Sequence, residues 1–319
     1  MGSRRSGPVA LLAVALCLAF VAVAEAAGGP RCNGQRVVCS RSFDQVVLAG
    51  THNAMSAESL GWRYPNQPVA IRKQLDAGIR ALLIDTHYGR LQPDGVVVTD
   101  DDGTETEGER GLYLCHRFCE LGASKLAPVL RSIRRWLRHN PRNVLMIENE
   151  DYIKSSDFAA AMERSGLLDH VYLGAAGPRW PTLRRMIKTR QQVVMLADRD
   201  AKGDPPWYHP AYEGILQETP FTFRRPRELI DPASWPASCQ PDRGGTSGSL
   251  FLMNHWSPPR QPREPDLETA ARVNARRVIV GRASECAELR GQWPSVIAVD
   301  QFSAGGLLRA VRELNRLHP

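Results

Sequence analysis

Gln45-Val46-Val47-Leu48-Ala49-Gly50 runs directly into Thr51-His52-Asn53. A continuous apolar run of this length reads as a strand buried on both faces, and the polar triplet marks where it reaches a rim. The pattern recurs along the chain. Arg80–Asp85 (RALLID) ends in Asp85, and Val144–Glu150 (VLMIENE) ends in Glu148-Asn149-Glu150. Gln192–Asp198 ends in Asp198, Ser249–Trp256 carries Asn254-His255 near its end, and Ser295–Gln301 carries Asp300. Helix-like stretches alternate with these strands at 69–77, 125–139, 156–164, 181–189, 267–275, 285–290 and 305–317. Strand–helix alternation predicts a parallel sheet. Polar groups gathered at the C-terminal strand ends are the active-site arrangement of a (β/α) barrel.

Other segments carry their own expectations. Gly95–Thr99 and Gly111–Cys115 read as a hairpin around the acidic loop Asp100–Arg110. The stretch 202–246 is rich in proline and aromatics without a clear period, and reads as a long loop over the barrel mouth or rim. Within it, Pro205-Pro206-Trp207-Tyr208 has the composition to dip into a lipid interface or border the headgroup pocket, though such a cluster more often packs at the rim. Arg131, Arg134, Arg135 and Arg138 on the 125–139 stretch read as a solvated helix face.

Of the 319 residues, 43% are hydrophobic and 24% charged, which excludes wholesale disorder. Arg4 and Arg5, the apolar run Val9–Val23 and Ala24-Glu25-Ala26 have the order of a secretory signal peptide cut near Ala26, leaving 27–319 as a single domain. The run is short for a membrane span, which needs about 20 residues. Localisation outside the cell follows as an expectation. The net charge of +7 favours anionic ligands, but no long basic run or nucleic-acid motif accompanies it, so DNA and RNA are not expected partners. Cys17 departs with the leader, and an even set remains. Local spacing suggests disulfides Cys32–Cys39, Cys115–Cys119 and Cys239–Cys286, with other pairings open. The cysteines are too scattered for paired zinc knuckles.

His52 and His116 each follow an apolar strand. Two imidazoles facing one pocket suit phosphodiester cleavage, one as general base and one as general acid, because histidine titrates near 6.5. Asn53, Asp85, Glu148 and Glu150 offer oxygen ligands from several strand ends, the chemistry of a hard cation such as Ca²⁺. Residues 148 and 150 alternate to the same strand face. Glu148, His87, His255, Trp256 and Asp300 are candidate substrate-binding residues.

The stretch Ala49-Gly50-Thr51-His52-Asn53-Ala54-Met55-Ser56 resembles the opening motif of the phosphatidylinositol-specific phospholipase C X-domain superfamily. Gln74–Arg80 with Leu83-Ile84-Asp85 is similar to its second strand, and Leu114-Cys115-His116 to the segment of its second histidine. Asn149-Glu150-Asp151-Tyr152 and Asn254-His255-Trp256 resemble its secreted phospholipase-C-like branch, and Ala298-Val299-Asp300 its closing strand. The resemblance implies a distorted TIM-type barrel that cleaves a phosphodiester beside an inositol, with attack by the inositol's own hydroxyl. It implies His52 as general base, His116 as general acid, and Asn53, Asp85 and Glu150 as ligands of a divalent cation, Ca²⁺ first. The implied partner is a phospholipid or glycerophosphodiester, met in transient contact with a membrane surface.

Two positions depart from the family pattern. His87 stands where metal-free members place an arginine, and Leu83 where calcium-dependent animal enzymes have a further acid. Glycerophosphodiester and sphingomyelin phosphodiesterases use similar barrels, but usually with a Glu-x-Asp where this chain has Leu83-Ile84-Asp85. A non-catalytic secreted lipid- or glycan-binding protein on the same barrel is the reading of a different class.

Overall fold

In the computed structural model, residue 2 and residues 29–177, 179–199, 204–257 and 265–317 are described. The leader and its cleavage site lie outside the described residues. In chain order the elements are β1 (Leu48–Thr51), α1 (Ile71–Ala77), β2 (Ala81–Leu91), β3 (Val97–Thr99), β4 (Glu109–Cys115) and β5 (Ala123–Lys125). There follow α2 (Leu126–His139), β6 (Leu145–Asp151), α3 (Ser155–Ser165), α4 (Leu183–Thr189), β7 (Val193–Ala197), β8 (Tyr208–Pro210) and β9 (Leu216–Glu218). The chain closes with α5 (Arg227–Ile230), α6 (Trp235–Ser238), β10 (Leu250–Asn254), α7 (Leu267–Val273), α8 (Arg276–Arg290), β11 (Val296–Val299) and α9 (Leu307–Leu317).

Eight strands run parallel in the order β8-β7-β6-β2-β1-β11-β10-β9. The first strand therefore pairs with the last, and the sheet wraps into a barrel open between β8 and β9. Gly50 makes the β1–β11 approach possible: a Cβ there would stand 2.9 Å from Val296 Cγ1 and 3.2 Å from the Ile297 carbonyl oxygen. Asn315 on α9 clamps the same seam, its side chain bonding both the N–H (3.0 Å) and the C=O (2.9 Å) of Val47. The helices present apolar faces at helical spacing, as in α2, which buries Leu126, Leu130, Ile133, Trp136 and Leu137. Among the described residues, no helix is long and apolar enough to cross a membrane.

Strand alternation divides the core. Leu83, Met146, Leu196, Leu216, Leu252 and Ala298 belong to one apolar cluster, while Leu82, Ile84, Ile147, Ala197, Met253 and Val299 pack with the helices in another. The first set faces the barrel axis. Two residues further along each strand, the same inward side carries Asp85, Glu148, Asp198, Glu218, Asn254 and Asp300. The acidic rim is thus a continuation of the inner apolar column.

Three sequence expectations change. The 95–99 and 111–115 segments do not form a hairpin with each other. β2 runs on to Leu91, six residues past Asp85, and both β3 and β4 pair antiparallel with that extension. The stretch 202–246 is not only loop: β8 and β9 within it are the two lips of the barrel opening, too short to show a period. The 285–290 helix is the end of α8, which begins at Arg276. The three disulfides pair as the spacing suggested, Cys32–Cys39, Cys115–Cys119 and Cys239–Cys286.

Candidate active site

His52 leaves β1 just before a turn in which Asn53 adopts a left-handed conformation (φ 44°). Its Nδ1 lies 2.9 Å from Asp300 Oδ1, the residue after β11. The neutral tautomer that suits both neighbours donates Nδ1–H to Asp300 and accepts at Nε2 from the Asn53 amide, 3.0 Å away. Asn66 also donates to Asp300 Oδ1 at 3.1 Å. Gln67 ties the strand ends together, donating to His52 O (2.7 Å) and Val299 O (2.9 Å). Trp256 stacks on the His52 ring, with centroids 3.8 Å apart and planes 4° from parallel.

His116 follows β4, which the β2 extension holds beside the barrel mouth. Its ring centroid is 6.4 Å from that of His52, edge-on at 74°. Burial, then the neighbouring His52, pushes His116 down to about 4.

Both rings line a cavity of about 190 Å³ whose walls include Asp85, Glu148, Glu150, Asp198, Glu218 and Arg243. Burial drives Asp85 well above its ordinary range, and Glu150 and Asp198 push it further in the same direction. Glu148 rises for the same first reason, with Asp198 next and Arg243 pulling it back. Register places Asp85 beside Glu150 across β2 and β6 and Glu148 beside Leu83, one layer deeper. Glu150 accepts from the Tyr152 hydroxyl and lies 3.9 Å from Arg199.

Asp198, Glu218 and Arg243 complete the site, beyond the residues the motifs single out. Arg243 binds both Asp198 oxygens at 2.7 Å and reaches Glu218 through Nε (2.5 Å) and a terminal nitrogen (3.3 Å). Asp198 already stood out at a strand end. Glu218 lies in a three-residue strand and Arg243 in a loop, where a lone residue carries no signal.

Several expected residues fall elsewhere. His255 does not line the cavity. Alternation turns it outward from Asn254, so it is fully buried, with Nε2 3.0 Å from the Val273 carbonyl and Nδ1 3.0 Å from Arg282. His87 is also outside the cavity: β2 has left the barrel there, and the ring bonds Asp101 Oδ2 (2.7 Å) and stacks on Tyr152. Asp300 bonds His52 and lines a neighbouring groove of about 270 Å³ with Tyr64, Asn66 and Asn274, not the acidic cavity. Trp256 lines both. Trp207 and Tyr208 are 8% and 0% exposed and pack into the core, so the 205–208 segment does not present them to lipid. Arg80 supports the second strand, bonding Asn143 Oδ1 and the carbonyls of Leu75 and Ile79.

Asn53, Asp85 and Glu150 converge on the same rim with oxygen donors suited to a hard cation. Among the described residues, no group of three or more His, Cys, Asp or Glu side chains is already gathered as a metal cage.

The PI-PLC X family model, described as PI-PLC X 1, matches residues 38–315. The chain belongs to the PI-PLC X family. The PI-PLC X domain-containing protein 1 of the fungus Arthroderma benhamiae is 28% identical over 305 residues, covering 90% of each chain. A protein of the same fungus named "Uncharacterized secreted protein" is 32% identical over 236 residues, 70% of this chain and 47% of its own length. Among solved structures, a mutant phosphatidylinositol-specific phospholipase C from Staphylococcus aureus superposes with a TM-score of 0.55 at 11% identity, over 87% of this chain and 95% of that one. At that identity the likeness is one of fold. In this PI-PLC X chain the shared barrel carries His52 and His116 at its open rim.

Proposed function

We propose that this chain is a secreted phosphodiesterase of the phosphatidylinositol-specific phospholipase C type. The observation that carries the reading is the His52–Asp300 pair with the His116 ring 6.4 Å away at one cavity. Asp300 holds the proton on His52 Nδ1, and a substrate hydroxyl next to the phosphodiester takes the place of the Asn53 amide at Nε2, which then accepts its proton. That hydroxyl attacks phosphorus. His116, on the other side of the phosphoryl group, donates a proton to the departing glycerol oxygen. The product keeps a cyclic phosphate on the polyol, and a lipid alcohol leaves.

Polar walls and an aromatic lip support a polyol headgroup on a lipid. Asp198, Glu218 and Arg243 offer hydrogen-bond partners for hydroxyls, and Phe118 and Phe221, beside His116 and the cavity, are 52% and 41% exposed. Asn53, Asp85 and Glu150 would hold a divalent cation, Ca²⁺ by donor type. Bound there, it would stabilise negative charge gathering on the phosphate. The buried Asp85, repelled by Glu150, is the group such a cation would relieve.

Hydrolysis of phosphatidylinositol vesicles tests the reading, with His52→Ala and His116→Ala beside the wild type. Wild type is expected to release inositol phosphate and each variant to lose on the order of 10²-fold or more in rate. Near-wild-type turnover in both variants sinks the mechanism. Activity that survives a chelator keeps the histidines and removes the cation.

A further inference from the structure

The barrel has a second cavity at the end opposite the catalytic rim. It measures about 900 Å³, and its walls include Arg134, Arg138, Arg142, Arg190 and His170, with Asp169 the one acid among the described lining residues. Arg142 precedes β6 and Arg190 precedes β7, so both stand at the N-terminal strand ends. Parallel strands place that end roughly 20 Å from the acidic cavity.

The depression is a built feature. Gln192 donates through its side chain to the carbonyls of Pro141 (3.0 Å) and Asn143 (2.8 Å), and through its N–H to that of His170 (2.7 Å). The Cys32–Cys39 loop fixes the same wall, Asn33 N–H donating to the Arg142 carbonyl at 3.1 Å. Arg134 lies flat over Gly166, where a Cβ would come within 2.8 Å of Nε, and that Nε is buried without a hydrogen-bond partner. Asp169 is 3.9 Å from Arg134, a weak offset to the charge. Arg190 closes α4 in the left-handed conformation (φ 59°), a position that glycine or asparagine normally takes. The chain keeps a guanidinium there despite the backbone cost.

We propose that this depression binds a polymer carrying successive phosphate groups, at a site separate from catalysis. Guanidinium pairs phosphate through two parallel N–H donors, and four guanidiniums carry more positive charge than one phosphate of about −2 balances. Repeated anions along one chain satisfy them. A bilayer is the wrong occupant, because docking this end to a membrane would point the catalytic mouth away from it. Held this way, the enzyme would sit on a polyanionic scaffold with its acidic cavity facing outward.

Inorganic polyphosphate is the probe, titrated against the purified mature chain and followed by calorimetry. The variant Arg138→Gln/Arg142→Gln/Arg190→Gly is expected to bind about tenfold or more weakly, with a shallower salt dependence. Its phosphatidylinositol hydrolysis is expected to match wild type, which separates this site from the catalytic reading. Arg190→Gly alone removes the left-handed strain, so it is expected to melt no lower than wild type while still weakening binding. Unchanged polyphosphate affinity in the triple variant overturns the proposal. So does stronger binding to heparin than to polyphosphate, or to anionic vesicles alone.

Discussion

His52 Nδ1 and Asp300 Oδ1 meet at 2.9 Å although 248 positions separate them in the chain. They meet because β1 and β11 are neighbours in the wrapped sheet, with Thr51 in register with Val299. Asp300→Asn keeps the shape but replaces an accept-only carboxylate with an amide that can also donate, so the Nδ1–H tautomer is no longer enforced and the charge facing the imidazole is lost. The variant is expected to lose on the order of 10²- to 10⁴-fold in kcat with KM little changed. Steady-state kinetics on a soluble phosphodiester would check it, and wild-type turnover would remove Asp300 from the mechanism.

The low His116 value has two consequences of opposite sign. At pH 7 a group titrating at about 4 is protonated only ~10⁻³ of the time, so a proton-donor role gains as pH falls. We expect kcat/KM to be higher at pH 5.5 than at pH 7.5, by up to about a hundredfold, the change in the protonated fraction of His116. Stability runs the other way. The folded value lies below the unfolded 6.5, so the unfolded chain binds more protons, and stability present above 6.5 is lost as pH falls toward about 4. A pH–rate profile beside thermal melts would show both trends; a rate that climbs from 5.5 to 7.5 denies His116 the acid role.

Glu148 is 5% exposed, and burial together with Asp198 raises its pKa. The charged form of Glu148 therefore works against the fold. Glu148→Gln, of the same shape, is expected to raise Tm by about 2–4 °C. Activity is expected to fall at the same time, because the site loses a headgroup or cation partner. A Tm below wild type in differential scanning calorimetry would contradict the repulsion argument.

Arg282 is fully buried and, among the described residues, has no acidic partner. Its donors go to Ser238 Oγ (2.9 Å), the Ser238 and Asn254 carbonyls (2.6 and 2.7 Å) and His255 Nδ1 (3.0 Å). Burial pushes it down to about 9. Arg282→Ala strands those acceptors in the core, at a cost of about 3 kcal/mol or more. It would also loosen the 254–256 segment that presents Trp256 to His52. Urea denaturation is the measurement, and a midpoint within error of wild type would show that the network adds nothing.

Part of this fold is legible in the sequence. The apolar runs at 46–50, 144–147, 193–197 and 296–299 feed the strands β1, β6, β7 and β11 because continuous Val, Leu, Ile and Met suit a sheet covered on both sides. The polar residues after them mark the catalytic end, and period-2 alternation predicts Glu148 and Glu150 on one face. The same rule, applied to Asn254, would have turned His255 away from the site. Arg243 and Glu218 gave no local sign, because a clamp between two loops and a three-residue strand has no periodicity to read.

By itself, the sequence determined where most of the barrel strands and covering helices lie, and that two histidines stand at strand ends. Those properties depend on neighbours a few residues apart, where side-chain spacing and hydrophobicity act directly. Tertiary structure alone decided that Asp300 serves His52, that Arg243 clamps Asp198 to Glu218, that His255 faces Arg282, and that four arginines ring the far end of the barrel. Each of these depends on how the sheet wraps and which helix covers which strand, and wrapping is settled by the burial of the whole apolar column at once.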